Sequence, residues 1–226
     1  MHKTIKGEKA YRNQRKLLLD IYHCLFEKFG PQQWWPGDSP FEIMVGAILT
    51  QNTNWQNVEK AIYNLKREDL LYPKVLLKNR NRIPELIKPS GFYRLKSRRL
   101  FAFLQWFVRN YNGEIGNFED KDTDLIRKEL LTIPGIGPET ADSILLYALG
   151  RPVFVVDAYT RRMLSRHSLI EDDADYDEIK KLFEDNLFKD TRLYNEYHAL
   201  IVRLGKQYCK KNDPLCNICP LFNIFN

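Results

Sequence analysis

Apolar side chains in this chain return every three or four residues, segment after segment, and almost never alternate. That period puts them on one face of an α-helix. Segments 16–29, 40–49, 56–66, 97–111, 125–131, 139–149, 158–166, 176–187 and 194–206 all carry it. Ser39-Pro40 supplies a cap and first-turn pair for the second of them. The one β-like run, 152–156, is too short and isolated to build a sheet. The expected fold is therefore all-α. No repeat, low-complexity tract or linker-length loop interrupts the 226 residues. Two lobes would form by the chain crossing back, with 1–39 and 150–226 making one and 40–149 the other. The central lobe would end in a helix, a turn and a helix over 130–149.

That turn is Leu131-Thr132-Ile133-Pro134-Gly135-Ile136-Gly137-Pro138. Its glycines permit a tight backbone whose N–H groups face outward, while Ile133 and Ile136 anchor it in the core. The helix beginning at Pro138 adds unsatisfied N–H groups, a combination suited to a phosphate. An ordinary glycine-rich connection is the plainer reading, but the apolar-Pro-Gly-apolar-Gly order between two helices argues against it. The excess of 35 basic over 29 acidic residues, a formal charge of +6, also suits a polyanion. The run Arg94-Leu95-Lys96-Ser97-Arg98-Arg99 would reach phosphates or form a solvated helix face.

Asp157 follows the apolar stretch 152–156 and opens the next helix. It reads either as a helix N-cap or as a functional carboxylate. Three cysteines, Cys209, Cys216 and Cys219, crowd the end of the chain, a pattern of metal ligation more than of disulfides in a reducing compartment. Cys24 sits in the apolar stripe of its own segment as a small buried hydrophobe. The first residues lack the apolar stretch of a signal peptide, and no run approaches the roughly 20 residues of a membrane span. A cytoplasmic, nucleoid-associated location is expected.

Taken together, Leu49-Thr50-Gln51-Asn52-Thr53, Ser90-Gly91-Phe92-Tyr93, the glycine turn, Val156-Asp157 and the terminal cysteines resemble the endonuclease III branch of the helix-hairpin-helix DNA glycosylase superfamily. The resemblance covers about residues 40 to 219. It implies a two-lobed fold with the active site in a cleft between lobes. It implies a monomer that acts on double-stranded DNA containing a damaged base. It makes Asp157 the essential carboxylate, with Gly135, Ile136, Gly137 and Thr140 gripping a phosphate. A monovalent or divalent cation on the carbonyls of Leu131, Ile133 and Ile136 is implied as well. Gln51 and Phe92 match the residues that fill the stack vacated by a flipped base. His198 reads as structural.

Bifunctional relatives carry a lysine where this chain has Glu139, and a carboxylate forms no imine, so lyase chemistry is expected to be weak or absent. Adenine glycosylases place a glutamate where this chain has Gly46. Trp34-Trp35-Pro36, Trp55 after Leu-Thr-Gln-Asn-Thr, and Pro89-Ser90-Gly91-Phe92-Tyr93 are similar to the endonuclease III-type 3-methyladenine DNA glycosylases. That makes Trp34, Trp35, Pro36, Trp55 and Glu139 the base pocket, and alkylated purines such as 3-methyladenine and 7-methylguanine the substrates. The chemistry agrees, since a cationic methylpurine stacks well on aromatics. Trp34, Trp35 and Trp55 also read as large side chains packed on the core. A pyrimidine- or mismatch-directed glycosylase using another amine as lyase, and a non-catalytic DNA-binding protein, are the alternatives.

The family's four-iron four-sulfur loop spaces its cysteines by six, two and five residues. Cys209, Cys216 and Cys219 match the first three places and Phe225 falls on the fourth. A fourth ligand could come from Cys24, another group or solvent, or the cluster could be lost.

Overall fold

The computed structural model describes residues 2–35 and 37–225, with side chains from residue 13 onward. Pro36, expected in the base pocket, lies outside the described residues. Helices follow one another along the chain: α1 (His2–Phe29), α2 (Pro40–Leu49), α3 (Trp55–Arg67), α4 (Pro73–Lys78), α5 (Ile83–Leu86), α6 (Tyr93–Tyr111), α7 (Thr123–Leu131), α8 (Pro138–Ser143), α9 (Ala158–Arg166), α10 (Tyr176–Asn186), α11 (Thr191–Gln207) and α12 (Phe222–Phe225). Among the described residues there is no strand. No described helix is long and apolar enough to cross a membrane.

The chain divides into two compact units, Met1–Trp34 with Pro152–Asn226, and Trp35–Arg151. Residues 35–39 and 150–151 thus go with the central unit rather than the terminal one. Their contacts explain this: Trp35 packs on Trp55 and Tyr147, and Arg151 donates to the carbonyls of Leu145, Phe118 and Glu119.

The central unit is built around α6, whose residues Leu100, Phe103, Leu104, Phe107 and Tyr111 form one buried stripe. Phe41 of α2 stacks on Phe107, and Phe118 stacks on Tyr111 with centroids 3.9 Å apart. Each such aromatic contributes about 1.5–3 kcal/mol by leaving water. Arg127 of α7 grips the fully buried Asp142 of α8 through Nε at 2.7 Å and Nη2 at 3.2 Å, tying together the two helices that flank the glycine turn. After Ser143 the helix widens into a π-helical turn, Ile144–Ala148.

The terminal unit centres on Phe154 and Phe183, stacked at 3.8 Å and 6°, with Tyr194 and Tyr197 edge-on to them. The run 152–156 is extended but pairs with no strand, so side chains satisfy its backbone. Phe154 N–H donates to Glu184 at 2.8 Å and Val156 N–H to Tyr176 at 3.3 Å. Tyr197 Oη donates to Leu18 O at 2.8 Å and fastens α11 to α1. Helices α9 and α11 approach so closely at Gly205 that an added Cβ would stand 2.2 Å from Tyr159 Cδ1.

Candidate active site and DNA-binding elements

Asp157 caps α9. Its Oδ1 accepts from Thr160 N–H at 2.8 Å and from the Thr160 hydroxyl at 3.0 Å. One oxygen is thereby spent on the helix, and the other, Oδ2, lies 3.5 Å from His198 Nε2. The two readings of Asp157 are compatible, because a capping aspartate keeps a second oxygen. Its side chain is only 12% exposed. Burial by itself would raise its pKa, but the His198 charge and the hydrogen bonds from His198 and Thr160 outweigh that and hold it below the ordinary value. His198, expected to be structural only, is the side chain that faces Oδ2 of Asp157. The short approach of α9 to α11 at Gly205 is what brings it there.

The hairpin takes the conformation its glycines require. Gly135 has φ +89°, Ile136 N–H donates to Ile133 O at 3.0 Å, and Ile133 and Ile136 are buried. Gly137 caps α8. The Arg99 side chain lies against Gly135, where an added Cβ would meet Arg99 Cγ at 2.4 Å. Gln51 joins the same cluster. Its Nε2 donates to Gly135 O at 3.0 Å and to Thr140 Oγ1 at 2.9 Å, and its Oε1 accepts from Arg99 Nη1 at 2.5 Å. Gln51 and Thr140 were expected to face DNA. In the structure the Gln51 amide is engaged as a strut of the hairpin, and Thr140 is buried with its hydroxyl held by that strut.

Phe92 stands clear of the core. It is 67% exposed and adopts φ +45°, the left-handed region, directly after Gly91 at φ +68°. A left-handed phenylalanine costs about 1–2 kcal/mol, strain of the kind found at functional positions.

The basic run does not act as one surface. Arg94 and Arg98 are exposed. Arg99 braces the hairpin, and Lys96 is 1% exposed, donating from Nζ to Leu49 O at 2.8 Å and Ser90 O at 2.6 Å. Burial, with a smaller push from Arg99, lowers the Lys96 pKa to about 8.

Of the expected base-pocket residues, Trp35 and Trp55 meet within the central unit. Trp35 stands edge-on to Trp55, with centroids 5.1 Å apart, and against Tyr147 at 4.9 Å. Gly46 permits that closure, since a Cβ there would lie 3.5 Å from both Trp35 Nε1 and Trp55 Cη2 and anything larger would displace the indoles. Trp55 is anchored by its Nε1 donating to Glu59 at 2.8 Å. Tyr147 was missed in the sequence because it sits on the π-helical turn, where the regular period breaks. Glu139 is exposed in the first turn of α8. Trp34 belongs to the other unit, with Lys206 Nζ 5.6 Å from its ring.

Cys209 is buried, with Arg166 Nη1 3.2 Å from its Sγ and Arg162 Nε donating to its carbonyl at 2.7 Å. Cys216 is exposed and Cys219 half-buried. Phe225 stacks on His167 at 3.8 Å and 14°. No group of three or more Cys, His, Asp or Glu side chains among the described residues is placed to hold a metal ion.

Residues 45–189 match the family described as HhH-GPD superfamily base excision DNA repair protein. A Methanocaldococcus jannaschii protein provisionally named a DNA repair glycosylase is 53% identical over 211 residues, 92% of this chain and 96% of that protein. Endonuclease III of Thermotoga maritima is 29% identical over 188 residues, 81% of each chain. Among solved structures, H. pylori 3-methyladenine DNA glycosylase (MagIII) bound to 1,N6-ethenoadenine is 31% identical with a TM-score of 0.70, covering 86% of this chain and 97% of that one. A non-covalent endonuclease III–DNA complex shares the fold at a TM-score of 0.79 and 23% identity, covering 94% of this chain and 95% of that one. The chain is a member of the HhH-GPD superfamily of base excision repair DNA glycosylases, in its endonuclease III-like branch.

Proposed function

We propose that this glycosylase is monofunctional and hydrolyses the N-glycosidic bond of alkylated purines, 3-methyladenine and 7-methylguanine among them, in double-stranded DNA. The observation that carries the reading is Asp157, a nearly buried carboxylate held ionised by His198 and Thr160. Loss of the base builds positive charge on the sugar, and a fixed anion in a water-poor site stabilises it. A depressed pKa makes Asp157 a weak proton acceptor, so its main contribution is electrostatic, with orientation of the attacking water second. A cationic methylpurine departs without prior protonation, so no strong general acid is needed.

Two further observations favour this substrate and outcome. Trp35, Trp55 and Tyr147 offer aromatic surface of the kind a cationic base favours. No amine stands at Glu139, and Lys96, whose pKa would suit a nucleophile, is buried with its ammonium given to two carbonyls. The H. pylori relative, named as a 3-methyladenine DNA glycosylase, supports the same substrate class. The hairpin at Gly135, Ile136 and Gly137 holds a phosphate of the damaged strand. The carbonyls of Leu131, Ile133 and Ile136 would hold a cation that strengthens that grip. Phe92 enters the stack as the base leaves it. The enzyme acts as a monomer in the nucleoid. Cys209, Cys216 and Cys219 would supply three ligands to a four-iron four-sulfur cluster, which would stiffen the terminal loop and take no part in bond cleavage.

A panel of duplexes carrying methylpurines, thymine glycol or a T·G mispair, assayed with and without alkali, tests the reading. Free methylpurine with an intact abasic strand is expected. Strand cleavage before alkali, or release of only the pyrimidine lesions, would overturn it.

A further inference from the structure

Cys24 has no part in the reaction or in the hairpin, and the fold takes it to an informative place. It lies on α1 between the fully buried Ile21 and Leu25, and its thiol donates to Pro220 O at 3.1 Å, across 196 residues of sequence. Pro220 directly follows Cys219. The docking of α1 on α10 and α11 therefore delivers one thiol from the start of the chain to the cysteine loop at its end.

The loop's own thiols are gathered around the same point. Cys219 N–H donates to Cys216 O at 3.0 Å, and Cys209, Cys216 and Cys24 are its charge-bearing neighbours. The thiol on α1 and those of the loop therefore lie in one neighbourhood. Four thiolates left together would repel one another, and cationic iron removes that cost. The set does not suit a single ion, because no three of these side chains are placed to close on one, and a zinc site needs every sulfur about 2.3 Å from the same atom. A four-iron four-sulfur cluster takes four cysteine thiolates in all, spread over the cluster instead of converging on one atom. Phe225, at the family's fourth position, is stacked on His167 and has no donor atom.

We propose that Cys24 is the fourth ligand of the iron–sulfur cluster, replacing the C-terminal cysteine whose place Phe225 has taken. This holds only if the loop binds a cluster, as read above. Each of the four thiols would release its proton to solvent as its sulfur–iron bond forms.

The test compares wild type, Cys24→Ala, Cys24→Ser and the double variant Cys24→Ala/Phe225→Cys. Each is purified anaerobically and reconstituted with ferrous iron and sulfide. Iron, acid-labile sulfide and visible absorbance are then measured per folded chain. Wild type should hold about four irons, and either single variant should fall below half of that. If Cys24→Ala does not fold, Cys24→Ser, which keeps a donor for Pro220 O, carries the comparison. Recovery of iron in the double variant would show that the two positions serve one cluster. Wild type without iron would overturn the cluster and Cys24 with it. Wild type with a full cluster that Cys24→Ser also retains would overturn the role of Cys24 alone.

Discussion

Replacing Asp157 separates its two duties, because asparagine and alanine remove different things. Asparagine is as good an N-cap as aspartate, and its carbonyl oxygen can take both Thr160 hydrogen bonds now made to Oδ1. Alanine removes the cap, at a cost of about 1 kcal/mol, or a fall of about 2–4 °C in Tm for a chain of this size. Both remove the negative charge near His198. If that charge stabilises the transition state, single-turnover base release should fall by about 10²–10⁴-fold in both variants, while only Asp157→Ala melts early. Damaged-duplex binding by Asp157→Asn should persist. The pH response gives a second check. The folded carboxyl lies below its unfolded value of about 3.9, so its contribution to stability is present above that value and is lost as pH falls through the folded pKa. Asp157→Asn should therefore flatten the acid limb of the unfolding curve. Asp157→Asn with turnover within threefold of wild type, or with activity lost only in step with Tm, would refute the assignment.

Three other substitutions follow from the geometry. Gln51→Ala removes two donors and an acceptor from the hairpin cluster, so binding to undamaged and damaged duplexes should weaken alike in fluorescence anisotropy. A loss confined to lesion excision would instead make Gln51 an orphan-base filler alone. Phe92→Ala removes an exposed ring but keeps the Cβ that strains the left-handed backbone, so Tm should be unchanged. It should slow excision from duplex DNA about tenfold or more relative to single strands, from the roughly 1–3 kcal/mol of lost stacking. Lys96 sets an alkaline signature. Between pH 8 and about 10.4 the unfolded chain keeps a proton that folded Lys96 has lost, so stability should climb with pH across that window. Urea titrations should show the climb in wild type and its absence in Lys96→Met, which will also be less stable for leaving Leu49 O and Ser90 O without their partner.

The long helices were legible because each buries one stripe, and the apolar period records that stripe directly. Helices α4 and α5 were not, since six and four residues are too few to show a period. Lys96 shows how reading by residue type misleads. Inside Arg94–Arg99 it looks like part of a solvated basic face, yet it precedes Leu100, Phe103 and Phe107 by four, seven and eleven residues, on the buried stripe. Its place on the helix, not its charge, predicts its burial. The contacts of Gln51 were illegible for the opposite reason. It follows α2 in a turn, where no period applies, and its partners Arg99, Gly135 and Thr140 are 48, 84 and 89 residues away. The left-handed backbone of Phe92 leaves no mark in sequence beyond the preceding glycine. The division of Trp34 from Trp35 could not be read either, because adjacent residues give no sign of which unit each will join.

The pairing of Asp157 with His198 depends on tertiary packing more than on either motif. An aspartate is short enough to accept from the N–H of its own helix three residues on, and the positive end of α9 then favours its ionised form. A glutamate would reach past that N–H and lose the cap. With Oδ1 fixed in this way, the direction of Oδ2 follows from the helix, and the helix is placed by how closely α9 can approach α11. Gly205 sets that limit, since any side chain there would strike Tyr159, two residues into the helix that Asp157 caps. His198 lies on α11 two turns before Gly205. One glycine remote in sequence therefore controls the separation of carboxylate and imidazole, and with it how firmly the carboxylate stays ionised. The carboxylate charge is thus held in place by backbone packing, and not by the flexible side chains of an exposed loop.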